Sequence, residues 1–444
     1  MKKIGLVIIF NLTFCLPGVL FAQNAKDTLV SLKQCIDFAL RNQPAVRQSA
    51  IDQQINERDI RIGLSAWLPQ VSSADQYQHF FKGSVPLTIN PSSLPGGGSS
   101  LDESSSLGLQ ASQVIYNNDV LQAAKAAKYS RLYYKENIVS SQINVVSDVS
   151  KAFFDVLLSE KQLDILNEDV TRLQRSLKDA YNKYQAGTTD KTDYKQAMID
   201  LNNSIATRKQ TQESINSKLA YLKQIMGLGA GTNPVLLYDT SHYESEAYID
   251  TNQTLNVNNR IEYQMLQSQK MLQNVNVSYY RWGFLPSLSA IGAYNYYYFS
   301  NKLSTLYDNP YKSGYYGLTL SIPIFQGTKR LQNLSKAKLQ ATRTDLDIEN
   351  STNTINTEYV QALSAYKSNY TNWQLLKQNV DLAKDVYKVV SLQYREGIKV
   401  YLDVIIAQSD LRTAELNYYN ALFQLLSSKI DLEKALGILN VNQI

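Results

Sequence analysis

The 444 residues hold only two histidines, two cysteines and ten prolines. His79 and His242 stand in unrelated segments, and no phosphate-binding glycine loop, metal-ligand cluster or nucleophile motif accompanies them. Carboxylates are spread along helical faces, where they solvate the surface or pair one turn apart. The sequence therefore predicts no enzyme, no cofactor and no metal site, and it reads His242 as a solvated loop residue. Net charge is equally scarce. Taking Lys2 and Lys3 away with a leader lowers the formal charge from +5 to +3, too little to argue for a nucleic-acid partner. Beyond the first twenty-odd residues no stretch reaches the ~18 consecutive apolar residues of a membrane helix. Any membrane crossing must be made by strands.

The leader explains the one apolar run. Lys2 and Lys3 precede Ile4–Phe21, which ends at Ala22 before a polar QNAKD. Asn11, Thr13 and Pro17 interrupt the run, so residues 1–22 read as a cleaved secretory signal, not an anchor. Phe14 is too bulky for the small residue that precedes a lipidated cysteine, which argues against lipid attachment at Cys15. After cleavage only Cys35 remains, so an intrachain disulfide is impossible even in an oxidising compartment. Stability must come from packing.

What the chain does have is duplication. WLPQVS at 67–72 corresponds to FLPSLS at 284–289, and LGLQASQVIY at 107–116 to YGLTLSIPIF at 316–325. The offsets are 217 and 209, and 210 holds from there to the end, so the first copy carries eight extra residues. They fall near INPSSLPGGGSS at 89–100, a loop composition unable to build a core. The expected organisation is a first repeat over 23–228, an inter-repeat segment over 229–258 and a second repeat over 259–444, each repeat a helix, a β-hairpin, a long helix and a return helix.

Long proline-free spans carry the helices. Gly187 and Gly397 each stand about seventy residues past the last strand, and Gly227 and Gly437 follow each of them by 40 residues. At ~1.5 Å per residue these are helices of roughly 105 Å out and 60 Å back. A further helix over about 31–63 is expected to stack on the return segment. In copy one Ile138, Val145, Val149, Val156, Leu166, Val170, Leu173 and Ala180 belong to a stripe of alternating 4,3 spacing. Its counterpart in copy two includes Ile348, Ile355, Tyr366, Trp373, Val380 and Val390. Such a stripe implies lateral coiled-coil packing along the whole length. Gly187 and Gly397 are read as the residues that stop the outgoing helices, because glycine supplies a left-handed backbone at least cost. Asp193 and Asp403 are expected to begin the return helices, capping free N–H groups and complementing the dipole.

The strands alternate. Tyr316, Leu318, Leu320, Ile322 and Ile324 share one face of 315–325, opposite Gly317, Thr319 and Ser321. Leu107, Leu109, Ala111 and Ile115 do the same in copy one, with Gln113 breaking the apolar face. The preceding strands, roughly 67–81 and 284–299, are less regular, and Asp75 and His79 fit them poorly. Strands this long suit a tilted bilayer crossing, with Trp67, Tyr77, Trp282, Tyr294, Tyr296 and Tyr298 as girdle aromatics. Four strands cannot close a barrel, and lipid tolerates no open edge, so a membrane role demands oligomerisation: two copies give eight strands, three give twelve. The competing reading is a secreted coiled-coil structural or adhesive protein with an incidental β cap.

SLKQCIDFALRNQPAV at 31–46, the aromatic-Leu-Pro starts, YREGIKVYLDVIIAQSDL at 394–411 and YYNALFQLLSSKIDLEKALG at 418–437 resemble TolC-like outer-membrane efflux proteins. The likeness spans both repeats. It implies a mainly α fold with membrane β: a long antiparallel coiled-coil helical barrel plus a β-barrel shared between subunits, four strands per chain. It further implies a homotrimer in the outer membrane of a Gram-negative bacterium, surrounded by outer-membrane lipid and carrying a large periplasmic extension. Such a trimer is the passive exit duct of a tripartite efflux or type I secretion system, partnered by a periplasmic adaptor and an inner-membrane pump. By position, Thr192, Asp193, Tyr394, Lys399 and Asp403 occupy the periplasmic gate. Gly187, Thr188, Gly397 and Ile398 occupy the tip turns that meet the adaptor. One departure is visible: a second family aspartate, one turn beyond Asp403, is Ile406 here.

Overall fold

A computed structural model describes residues 29–81, 102–229, 231, 234–237 and 240–439. The leader with Cys15, the loop at 89–100 and the side chain of His242 lie outside the described residues.

Ser31 opens the chain's first helix, α1 (Leu32–Asn42), with a reciprocal capping box to Gln34. Gln43 leaves the helical region and Pro44 restarts it as α2 (Pro44–Ser65), since proline needs no N–H at a first helical position. The single helix expected over 31–63 is therefore two. Strands β2 (Gln70–His79) and β3 (Glu103–Tyr116) form a hairpin, β1 (Leu29–Val30) being a two-residue strand before α1. Then come α3 (Asn118–Gln185) and its return helix α4 (Lys191–Met226). The same order recurs after an equatorial segment containing β4 (Val235–Leu236) and α5 (Thr240–Glu246): α6 (Ile261–Arg281), β5 (Ser287–Ser300), β6 (Tyr311–Ser321), α7 (Lys329–Arg395) and α8 (Tyr401–Leu436).

Helix ends explain how the column is stacked. Gly227 and Gly437 terminate α4 and α8 with φ of 72° and 71°. A Cβ on Gly227 would lie 2.8 Å from the Asn42 carbonyl oxygen, and one on Gly437 would lie 2.9 Å from the Asn259 carbonyl. Only glycine meets both demands, and the joint sets α2 end to end on α4 and α6 end to end on α8. The 36-residue α4 and the 22-residue α2 thus run ~87 Å beside the ~102 Å of α3. The expected stripe is buried in α3 from Val145 onward: Val145, Val149, Val156, Leu166, Val170, Leu173 and Ala180 are all buried, while Ile138 is half-buried. In α7 only Ile355, Tyr366, Trp373 and Val380 of the stripe are buried. Laterally the helices contact in the order α4, α3, α8, α7, so α4 and α7 form the flanks.

The equatorial segment wraps this column at mid-height. β4 pairs in parallel with β1, and Tyr243 packs edge-on against Phe153 and Phe154 of α3. The Tyr366 hydroxyl accepts from the Ile249 N–H (3.1 Å) and donates to the Ala247 carbonyl (2.9 Å), pinning the segment to α7.

Above α2 and α6 stands a four-stranded antiparallel sheet in the order β2-β3-β5-β6. Its strand limits differ from the sequence reading. The aromatic-Leu-Pro motifs are helix-to-strand corners, held by Trp67 N–H to the Leu64 carbonyl and Leu285 N–H to the Trp282 carbonyl. Pro69 and Pro286 stand just ahead of each strand, as residues without a donor must. β6 begins at Tyr311 and stops at Ser321, so Ile322, Ile324 and Phe325 are not in it, because Pro323 cannot continue the ladder. The register nevertheless confirms the alternation. Leu107, Leu109, Tyr294, Tyr296, Tyr316 and Leu318 share one face, while Ser106, Gly108, Gln110, Asn295, Gly317 and Thr319 share the other. Gln113, which broke the apolar face, donates its amide to the Trp67 carbonyl at the corner.

Candidate functional site: the two hairpin tips and the sheet faces

Both long hairpins reverse by the same device. At the first tip Thr188 N–H bonds the Lys183 carbonyl and Gly187 N–H the Tyr184 carbonyl, each at 3.0 Å. At the second, Ile398 N–H bonds the Gln393 carbonyl at 2.8 Å and Gly397 N–H the Tyr394 carbonyl at 3.2 Å. This paired pattern with φ of 68° at Gly187 and 76° at Gly397 is a Schellman end, which satisfies carbonyls the helix leaves free. The glycine reading holds at both turns.

The capping reading needs correction. Asp190, not Asp193, is the N-cap of α4, accepting from Thr192 N–H at 3.3 Å. Asp193 stands in the first turn, where its charge complements the helix dipole. In α8 the N-cap position is Val400, with no side-chain cap at all, and Asp403 pairs with Lys399 at 3.6 Å. A cap must precede the first helical residue to aim its oxygen at the next N–H groups, and both expected aspartates come three residues too late.

Several of the expected gate residues meet. Thr192 and Asp193 line a groove of about 720 Å³ together with Asp190, Lys191, Tyr401 and Leu402. Tyr401 is buried there against Ala180 and Ala197, and burial raises its hydroxyl pKa, with the charges of Asp200 and Asp193 adding to the shift. Tyr394 lies 5.8 Å from the Tyr401 ring, and Lys183 of the other hairpin sits 3.7 Å over the Tyr394 ring. That cation–π contact ties the hairpins together at the tip. Lys399 and Asp403 stay half-exposed within their own hairpin.

Two features escaped the sequence reading. Asp169 on α3 is 1% exposed, yet both oxygens are satisfied. Gln408 donates to Oδ1 (3.0 Å), while Ser204 (2.8 Å) and Arg412 (3.1 Å) donate to Oδ2, joining α3, α4 and α8. A carboxylate next to the core position Val170 was the available signal. The second feature is apolar: Ile398, Val400, Leu402 and Ile406 are 71, 65, 58 and 51% exposed at the second tip. Their 210-offset counterparts, Thr188, Asp190, Thr192 and Gln196, are all polar.

At the opposite end of the molecule the aromatics fall into two groups. Trp67 and Trp282 sit at the corners where α2 and α6 give way to strands, and Trp282 lies 5.9 Å from Phe284. Tyr77, Tyr294, Tyr296 and Tyr298 lie on the apolar face of the sheet. Asp75 and His79 share that face. At its far end the Tyr77 hydroxyl donates to Glu103 (2.5 Å) and His79 Nδ1 lies 2.9 Å from the same carboxylate, while Asp75 accepts from Ser73 (3.1 Å). Among the described residues no group of three or more His, Cys, Asp or Glu is placed to hold a metal ion, and no helix is long and apolar enough to cross a membrane.

A sheet with one exposed apolar face, set on a column of paired helices, defines a membrane protein that crosses lipid with strands. Residues 35–228 and 252–438 match the outer membrane efflux protein family, and the chain belongs to it. It is similar to the outer membrane protein TolC of Vibrio cholerae, 22% identical over 439 residues that cover 96% of each chain. Its fold is that of the solved outer membrane protein VceC of Vibrio cholerae, with a TM-score of 0.72 at 16% identity over 91% of this chain and 96% of that one. The Campylobacter jejuni CmeC outer membrane channel matches with a TM-score of 0.74 at 19% identity over 93% and 87%. The chain is thus an outer-membrane efflux channel protein with a helical periplasmic extension, in a family of channels, not of enzymes.

Proposed function

We propose that three copies of the chain, each freed of residues 1–22, close into one duct through the outer membrane and much of the periplasm. The duct is the passive exit of a tripartite efflux or secretion system, without catalysis of its own. The observation that supports this most is the sheet: an apolar outward face with an unpaired strand at each edge, β2 and β6. Lipid does not tolerate those edges, and strands of neighbouring copies satisfy them. The polar face carrying Gln110, Ser112, Asn295 and Thr319 then lines the lumen. The corner and strand aromatics become the membrane-interface belts.

At the periplasmic end, Thr192, Asp193, Tyr394, Lys399 and Asp403 act as the gate. Gly187, Thr188, Gly397 and Ile398 present the turns to the adaptor. Ile406 with Leu402 one turn below thins the carboxylates of the entrance and adds apolar surface beside Lys399 and Asp403, which resists wetting when narrow. The inner-membrane pump selects the cargo. Purification in detergent followed by mass measurement and planar-bilayer recording tests the reading: a trimer that conducts ions is expected. A water-soluble, non-conducting monomer would return the chain to the structural coiled-coil reading.

A further inference from the structure

We propose that a cleft at mid-height, where α3 and α8 meet the end of α5, is a binding site for a small amphipathic amine. The cleft encloses about 240 Å³ and is complete within one chain. Its floor is apolar: Phe154, Leu426, Ile430 and Leu439 line it, and all four are buried. Its rim is charged. Glu246, the last residue of α5, is exposed there, and Lys429 and Glu433 stand one turn apart on α8 with about a fifth of each side chain exposed.

One group in this cleft has no partner. Ser150 on α3 is 2% exposed and lines the cleft, yet its hydroxyl oxygen makes no hydrogen bond. Ser159 and Ser278 turn their hydroxyls back to the carbonyl four residues earlier, at 2.6 and 3.0 Å. Ser150 does not, so its donor and its acceptor are both open to a guest. A buried unpaired hydroxyl is unfavourable in a folded core, and a guest that bonds it recovers that loss. Duplication does not account for the arrangement. At the 210-residue offset the counterparts of Ser150, Lys429 and Glu433 are Val360, Leu219 and Lys223, so the other repeat carries neither the hydroxyl nor the carboxylate.

The rim selects the charge of the guest. Glu246 and Glu433 set two carboxylates against the single ammonium of Lys429. That ammonium is already engaged, lying 3.5 Å from Glu433 and donating to the Glu246 carbonyl at 2.5 Å. Burial holds the Glu433 carboxyl above the usual carboxylate range against the pull of Lys429, and the charge of Glu246 adds to the rise. A second ammonium at the rim offsets these like charges, whereas an anion adds to them. The floor sets the body. At ~30 Å³ per water the cleft equals about eight waters, room for one ring and a short arm. Its walls are anchored: Tyr243 packs edge-on against Phe154 at 5.3 Å, and Glu244 of α5 is held by Lys377 and Tyr418. A guest reaching from Ser150 to the two carboxylates ties α3 and α8 to the equatorial segment.

Equilibrium dialysis of the purified full-length protein in a maltoside detergent tests the site, with phenethylamine as ligand and hydrocinnamate, its carboxylate analogue, for comparison. Phenethylamine is expected to bind saturably, and hydrocinnamate at least about tenfold more weakly. Ser150→Leu fills the floor and should abolish saturable binding. Ser150→Ala and Glu433→Gln keep the shape of the cleft and should weaken binding several-fold and about tenfold, respectively. Equal binding of amine and carboxylate would overturn the proposal, as would unchanged affinity in these variants when they melt as the parent does. So would an absence of saturable binding, with only an ordered water on Ser150 in the density of the amine-soaked protein. None of these outcomes bears on the duct, which is tested by mass and conductance.

Discussion

The two long hairpins share a backbone and differ in what they show the outside. α3 and α7 span 68 and 67 residues, end in the same glycine turn and carry the same stripe. Yet α3 is held by α4 on one side and α8 on the other, while α7 meets α8 alone along its lower length and keeps Leu375, Leu382 and Val389 exposed. Position in the row, not composition, decides burial. The tips differ in chemistry as well: Thr188, Asp190, Thr192 and Gln196 on one, Ile398, Val400, Leu402 and Ile406 on the other. A turn needs only its glycine, so the surfaces around it were free to diverge toward different tasks.

That contrast is open to attack, beginning where the effect should be largest. Asp169→Leu leaves Arg412 and Gln408 without their buried acceptor and is expected to cost about 3 kcal/mol or more. Its 210-offset counterpart, Asn379→Leu, should cost under ~1 kcal/mol, since a neutral amide has less to lose. Urea unfolding of both variants in detergent measures the difference, and equal losses would erase the asymmetry.

A smaller effect concerns the entrance. Leu402→Asp with Ile406→Asp should raise single-channel conductance of the closed duct several-fold and favour cations. The matching change on the first tip outside the gate residues, Gln196→Asp at the counterpart of Ile406, should leave conductance nearly unchanged. Planar-bilayer recordings decide, and an equal response from both tips would remove the special role of the apolar one.

The smallest effect is at the caps. Asp190→Ala should lose about 1 kcal/mol by freeing the Thr192 N–H, and Val400→Asp should gain up to a similar amount by supplying a cap that α8 lacks. Opposite shifts in Tm would sharpen the view that the second tip gave up helix stability for apolar surface.

Much of this was legible because repetition samples each signal twice. The Tyr-Gly-Asp spacing at 184–193 and 394–403 marked both turns, and alternation at 107–116 and 316–321 marked the sheet faces. Strand limits were harder: Trp67-Leu68-Pro69 reads as extended, but its proline marks a corner. The caps went wrong because Asp190 and Asp193 are both acidic, and three residues separate a cap from a first-turn charge. The Asp169 cluster was invisible for another reason. Its partners Ser204, Gln408 and Arg412 lie 35 to 243 residues away, and no local pattern announces such a meeting.

The sequence alone determined the duplicated plan, the lengths of the outgoing and return helices, the two reversals and which strand face is apolar. Each follows from periodicity or from glycine's freedom at positive φ, and these are properties of neighbours along the chain. Tertiary structure alone decided which helix is interior and which is flank, which carboxylate is buried and satisfied, and which edges remain open. Those depend on contacts between residues far apart in sequence, and two repeats with the same periodicity acquire different surroundings once one of them stands at the end of the row.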